Sequence, residues 1–209
     1  MMENFGGISF DKKTAMYRKV KALWNIAEAA EKDDKVRMSY IHYRVSTGNL
    51  EATDGRRAMT VKFNGAEYGI DQDVLFKFSG TFLFPVREPS DFPNVPRVIP
   101  VIHENRNYLH GLDVKVLELN DRTCAADYEV TALLGRQGIR VNGRYIKDLK
   151  DVLNDFDLIT WEEEKPEYRP VVFTTNDKNM EFVLMPMNRE KWTEAQVTVS
   201  FGENPETVA

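Results

Sequence analysis

The chain is poor in the residues that most often carry covalent or metal chemistry. Among 209 residues there is one cysteine, Cys124, and there are three histidines. A single cysteine cannot close an internal disulfide, so a reducing compartment, the cytoplasm, is expected. Three histidines with one cysteine give no zinc-ligand spacing, and neither metal nor cofactor is expected. No apolar run approaches the ~18 residues a membrane span needs. The start, Met1-Met2-Glu3-Asn4-Phe5, lacks the basic-then-apolar layout of a signal peptide, so no membrane partner is expected. Gly6-Gly7 and Gly65 lack the Gly-Lys-Ser/Thr context of a phosphate loop, and no Gly-x-Ser-x-Gly elbow occurs. Glu162-Glu163-Glu164, Asp33-Asp34 and the Asp148/Asp151 pair read as solvated charge. No catalytic residue is nominated, and the chain reads as a non-enzyme.

What is present is an ordinary globular composition, 42% hydrophobic and 29% charged, long enough for one or two domains. The net charge of −5 argues against a protein that coats nucleic acid nonspecifically. The charge is uneven, however. Residues 1–63 hold 12 Lys/Arg against 8 Asp/Glu, a net of +4, and the remainder holds 16 against 25, a net of −9.

In chain order, Ile8-Ser9-Phe10 alternates as a short strand. Asp11 or Thr14 then caps a helix whose apolar stripe is Met16, Val20, Leu23, Trp24 and Ala27. Its other face carries Arg18, Lys21, Asn25 and Lys32, with Glu28 as the one acid. A strand is expected over Val36 to Val45, with His42 as a packed or surface imidazole. Leu50 to Phe63 reads as two strands around an Asp54-Gly55 turn, followed directly by Arg56 and Arg57. Short strands are expected at Tyr68–Ile70, Val74–Phe78 and Thr81–Pro85. Five of the nine prolines fall in 85–100, which therefore reads as an extended crossing or loop, with Phe84 and Phe92 packing on something. Residues 101–120 are ambiguous, and Ala126–Leu134 reads as a strand. A second helix starts at Asn142 or Gly143, with a stripe of Tyr145, Ile146, Leu149, Val152, Leu153 and Phe156. Strands follow at Asp157–Glu162, Arg169–Thr174 and Met180–Met187. The region 188–209 is a polar tail with a further edge strand at Val197–Phe201.

Three segments in this order resemble the bacterial β sliding clamp, the processivity factor of the replicative polymerase. Leu50-Glu51-Ala52-Thr53-Asp54-Gly55-Arg56-Arg57-Ala58 is similar to its A-T-D-G-H-R-L signature. Phe92-Pro93-Asn94-Val95-Pro96-Arg97-Val98-Ile99-Pro100 is similar to F-P-D-Y-R-R-V-I-P. Phe182-Val183-Leu184-Met185-Pro186-Met187 is similar to Y-V-V-M-P-M. The resemblance implies an α+β DNA-clamp-like fold. Two βαβββ halves, with helices on one face of antiparallel sheets, occupy 8–63 and 138–187. One count makes 1–187 a single clamp-like domain with a β-rich insertion at about 64–137. The other makes two reduced domains, 1–100 and 101–187.

In the family these segments converge on an apolar groove that receives short peptides from polymerases and other clamp users. Carried over, the groove residues are Thr53, Gly55, Arg56, Arg57, Ala58, Pro100, Val183, Met185, Pro186 and Met187. Methionine adapts to varied apolar anchors, and arginine can hold carbonyls or acidic flanks. Arg56 stands where the family usually has His, and Ala58 where it has Leu. The helix faces of clamps line the hole, so Arg18, Lys21, Lys32, Arg144 and Lys147 are the DNA-facing candidates. The implied partners are duplex DNA, met without base readout, a DNA polymerase or other clamp-binding peptide, and further copies of the chain. The resemblance leaves two functions open. One is a processivity factor that closes a ring on DNA. The other is a clamp-fold protein that forms no ring and binds or competes for clamp-binding peptides.

Overall fold

A computed structural model describes residues 6–86, 91–100, 106–110, 131–134, 139–162, 169–186 and 199–200. Met187, Leu112–Leu117 and most of the tail lie outside the described residues. The chain is α+β and divides into two compact units: Met1–Ile99 with Asn179–Phe182, and Pro100–Lys178 with Val183–Ala209.

The first unit is a sheet ordered β1-β6-β5-β2-β3-β4. Its strands are β1 (Ile8–Ser9), β2 (Ile41–Arg44), β3 (Asn49–Thr53), β4 (Arg57–Lys62), β5 (Val74–Ser79) and β6 (Phe82–Val86). All of these pairs are antiparallel. The β5–β6 hairpin falls in the span read as an insertion, yet it is part of the sheet and separates β1 from β2. Pro85 stands opposite Phe76, beyond the two residues of β6 that pair with β1, so its missing N–H interrupts no ladder on that side.

Helix α1 (Ala15–Lys32) packs across β2, β3, β4 and β5. Thr14 is its N-cap: the hydroxyl accepts from Tyr17 N (3.2 Å) and donates to the Asp11 carbonyl (2.7 Å). The buried stripe is Val20, Leu23, Ile26, Ala27 and Ala30, with Ala22 beside it. Met16 and Trp24, expected in that stripe, are half-buried. Lys35 N donates to Ala30 O (2.9 Å), and Asp34 adopts φ +57, closing the helix end in a tight corner.

Alternation and register divide the side chains of this sheet. Ile41, Tyr43, Leu50, Ala52, Met59, Val61 and Phe76 share an apolar, buried face. The opposite face lines up His42, Glu51 and Thr60, cross-strand partners in a row, all buried. Gly65 is required by packing: a Cβ there would stand 2.5 Å from the Tyr43 ring.

Three expectations for this unit are corrected. The strand expected from Val36 begins only at Ile41, because Val36–Met38 forms a 3₁₀ turn closed by the Ser39 hydroxyl on Val36 O (2.8 Å). Tyr68–Ile70 is no strand: Gly65–Tyr68 is a 3₁₀ helix, and Gly69 at φ +71 ends it. The turn of the central hairpin is shifted by one residue, as described below.

The second unit holds β7 (Arg106–His110), β10 (Leu158–Glu162), β11 (Val171–Thr174) and the end of β12 (Met180–Leu184), ordered β12-β11-β10-β7. A separate sheet runs β13-β8-β9, from Val199–Ser200, Thr131–Leu134 and Ile139–Asn142. Strand β13 is parallel to β8. The expected second helix is only five residues, α2 (Gly143–Lys147). Asp148 N still reaches Arg144 O (3.2 Å), and from there the backbone bonds are i→i−3: Leu149 N to Ile146 O, Val152 N to Leu149 O, and Asp155 N to Val152 O. Ile146, Leu149, Val152, Leu153 and Phe156 are nevertheless buried. Their spacing of about three suits 3₁₀ turns as well as an α-helix.

In element order, β1-α1-β2-β3-β4 and β9-α2-β10-β11-β12 repeat one strand-helix-strand-strand-strand pattern.

Candidate functional site

The β3–β4 hairpin is built from its own side chains. Thr53 pairs with Ala58, and Asp54 N donates to Arg57 O (3.3 Å). The two-residue turn is therefore Gly55-Arg56, not Asp54-Gly55. Glycine at the first turn position, φ +82, fits the hairpin type that demands positive φ there. Asp54 becomes the residue that closes the turn. Its Oδ1 accepts from Arg56 N (2.9 Å) and Arg57 N (3.0 Å). The Thr53 hydroxyl donates to Arg57 O (2.8 Å) and accepts from Gly55 N (3.1 Å).

The two arginines part company here. Arg56 is exposed. The Arg57 side chain is 1% exposed, and its Nε donates to Asp54 Oδ2 (2.9 Å). Thr53 and Ala58 are buried. Lys35, from the corner after α1, donates to the Asp54 carbonyl (2.6 Å).

The remaining groove candidates lie in the other unit. Val183 is buried in β12, Met185 is exposed, and Pro186 and Pro100 are half-buried. Thr53, Gly55, Arg56, Arg57 and Ala58 are brought together by the hairpin; Val183, Met185 and Pro186 are joined by the end of β12. Of the DNA-facing candidates, Arg18, Lys32 and Arg144 are exposed and Lys21 and Lys147 half-buried. Lys32 donates to Glu28 one turn back (2.9 Å).

A buried polar cluster behind the hairpin gave no sequence motif. Glu51, fully buried, accepts from Arg44 Nε (2.9 and 3.1 Å) and Nη2 (3.0 Å). His42 Nδ1 lies 3.4 Å from Glu51, and its Nε2 lies 3.4 Å from Asp73. The Phe92 ring stacks on His42 at 4.8 Å, and Arg44 Nη2 donates to Pro93 O (3.2 Å). The proline-rich segment thus straps the polar sheet face, the packing expected of Phe92. The signal was the two-residue alternation of His42 and Arg44 opposite Glu51. A pocket of about 730 Å³, lined by Tyr43, Lys62, Phe63 and Ile70, sits at the far end of β4 from the turn.

Among the described residues, no cluster of His, Cys, Asp and Glu is grouped to hold a metal ion, and no helix is long and apolar enough to cross a membrane.

No protein-family model matches the sequence, and no curated protein matches it. Solved structures do. The DNA polymerase III subunit beta from Pseudomonas aeruginosa superposes with a TM-score of 0.50 at 14% identity, over 90% of this chain and 68% of that one. A DNA polymerase sliding clamp from Pseudomonas aeruginosa with ligand gives 0.51 at 12% identity, over 89% and 67%. The chain spans about two thirds of the length of these clamps. At such identities the likeness is one of fold: the chain has the fold of the bacterial β sliding clamp.

Proposed function

We propose that the chain is a clamp-type tether, which meets duplex DNA through basic helix faces and holds a polymerase or another client by a short peptide. The observation that carries the reading is the clamp fold across about nine tenths of the chain. The clamp-like segments at Thr53–Ala58, Val98–Pro100 and Val183–Met187 add to it. Arg18, Lys21 and Lys32 on α1 and Arg144 and Lys147 on α2 would meet phosphates, which needs charge and no base readout. The exposed Met185 would offer an adaptable apolar contact beside Pro186. The division of the chain near Ile99 supports counting two reduced clamp domains. On that count about three copies close a ring of six domains, and on the single-domain count about six.

A second reading is a clamp-fold protein without a ring, which binds or competes for clamp-binding peptides. The net charge of −5 and the pairing of Lys32 with Glu28 favour it. Solution mass by light scattering, over a concentration series, separates the two. A closed trimer or hexamer is the expected result. A monomer at every concentration would remove the ring and leave the peptide-binding protein.

A further inference from the structure

Residues 91–98 cross the polar face of the first unit's sheet without joining it by backbone. Pro93 and Pro96 have no N–H to give. Val95 N donates to Pro93 O (2.9 Å), Arg97 N to Asn94 O (3.1 Å) and Val98 N to Val95 O (3.0 Å), all within the segment. Among the described residues, no backbone–backbone hydrogen bond ties 91–98 to a strand. Side chains hold it instead.

Val95 is buried, and the Phe92 ring lies on the buried His42, 4.8 Å between centroids and 24° between planes. Arg44 Nη2 donates to Pro93 O (3.2 Å). Arg44 ends β2, and Glu51 on β3 orients its guanidinium, taking Nε (2.9 and 3.1 Å) and Nη2 (3.0 Å). Glu51 is fully buried, and the Arg44 side chain is 16% exposed. Nη2 carries two hydrogens, one for Glu51 and one for Pro93 O. Pro93 O has two lone pairs, and Val95 N takes the other. That carbonyl therefore closes the segment's own turn and fastens it to the sheet. The Arg37–Asp91 pair (2.7 Å) is open to solvent on both sides and adds little.

We propose that residues 91–98 form a latch that opens on its own while the sheet beneath stays folded. Glu51 fastens the latch although its hydrogen bonds go to Arg44 and not to the latch. It is a positioning residue, acting through Arg44 on Pro93. Opening gives up the Arg44 bond, the Phe92 stack and the burial of Val95, and it interrupts no strand ladder. It bares His42, Arg44 and Glu51, a polar strip otherwise covered. The inference stands apart from DNA and peptide binding.

Native-state hydrogen exchange of the full chain, over a series of low urea concentrations, tests both parts. In the wild type the amides of Arg97 and Val98 are expected to exchange with little dependence on urea. Those of Tyr43 and Leu50, inside the sheet, should show the steep dependence of global unfolding. Equal dependence in both sets would show that the segment leaves only when the sheet unfolds, and overturns the latch. Ile41→Val, on the other face of the sheet, is the control. It should speed Tyr43 and Leu50 and leave Arg97 and Val98 alone. Glu51→Gln should speed Arg97 and Val98 as well, roughly ten-fold without urea. If Glu51→Gln behaves as Ile41→Val does, Glu51 is structural only and the positioning role is overturned. Should Glu51→Gln fail to fold, Arg44→Lys decides the same point, because it leaves Glu51 a counter-charge but lacks the planar fork. Unchanged exchange of Arg97 and Val98 in Arg44→Lys overturns the role of the Glu51–Arg44 pair.

Discussion

Asp54 and Arg57 are both nearly sealed from solvent, with side chains 5% and 1% exposed. Each is three residues from the other across a turn that neither could close alone. Removing one partner of a buried pair withdraws a compensating charge from the other, which costs more than the pair contributes. Asp54→Ala is therefore expected to destabilise the chain by about 3 kcal/mol in urea unfolding. Asp54→Ala with Arg57→Met should cost less than the two single changes added together, by about 1 kcal/mol or more. Strict additivity would show that the pair does not couple. The sequence marked both residues through Thr53-Asp54-Gly55-Arg56-Arg57 but not their division of labour. An Asp-Gly dipeptide names a turn, whereas register decides which residue occupies it. Here Thr53 opposite Ala58 moved Asp54 from the turn into its closing pair. The same limit hid Lys35, whose partner is set by where a helix ends and not by local spacing.

At the scale of elements, α1 was legible because two independent signals agreed: a capping threonine and an apolar period near four. Thr14 alone supplies the side-chain cap, through Tyr17 N at 3.2 Å. Thr14→Ala should lower stability by about 1 kcal/mol, while Thr14→Asp should keep most of it. Equal urea midpoints for Thr14→Ala and wild type would mean that packing against the sheet, not the cap, sets the helix start. The second helix shows the converse. Ile146, Leu149 and Val152 recur every three residues, and burial follows that period whether the backbone closes i→i−4 or i→i−3 bonds. The strand expected from Val36 failed for a related reason. Alternation over Met38–Tyr43 is real in the letters, but Val36–Met38 closes a 3₁₀ turn with the Ser39 hydroxyl on Val36 O, so the strand starts only at Ile41. The proline-rich segment reads as an extended crossing or loop because prolines exclude sheet and helix interiors. Its hold on Arg44 and His42 depends on a polar sheet face that no single segment spells out.

For the molecule as a whole, the overall charge and the local charge pull in opposite directions. A net of −5 repels DNA at long range, whereas Arg18 and Lys21 stand on the helix of the positive segment. If α1 meets the duplex, each phosphate contact releases a counterion, and the logarithm of affinity falls with the logarithm of salt by about 0.9 per contact. Arg18→Gln with Lys21→Gln should lower the slope by about two, and equally so on duplexes of unrelated sequence. Their side chains do not belong to the buried stripe of α1, so folding should survive the exchange. Fluorescence titration of a short labelled duplex over a salt series reads the slope directly. An unchanged slope would take α1 out of the DNA contact. A loss confined to one DNA sequence would replace the phosphate rail with base recognition, which a sliding tether has no use for.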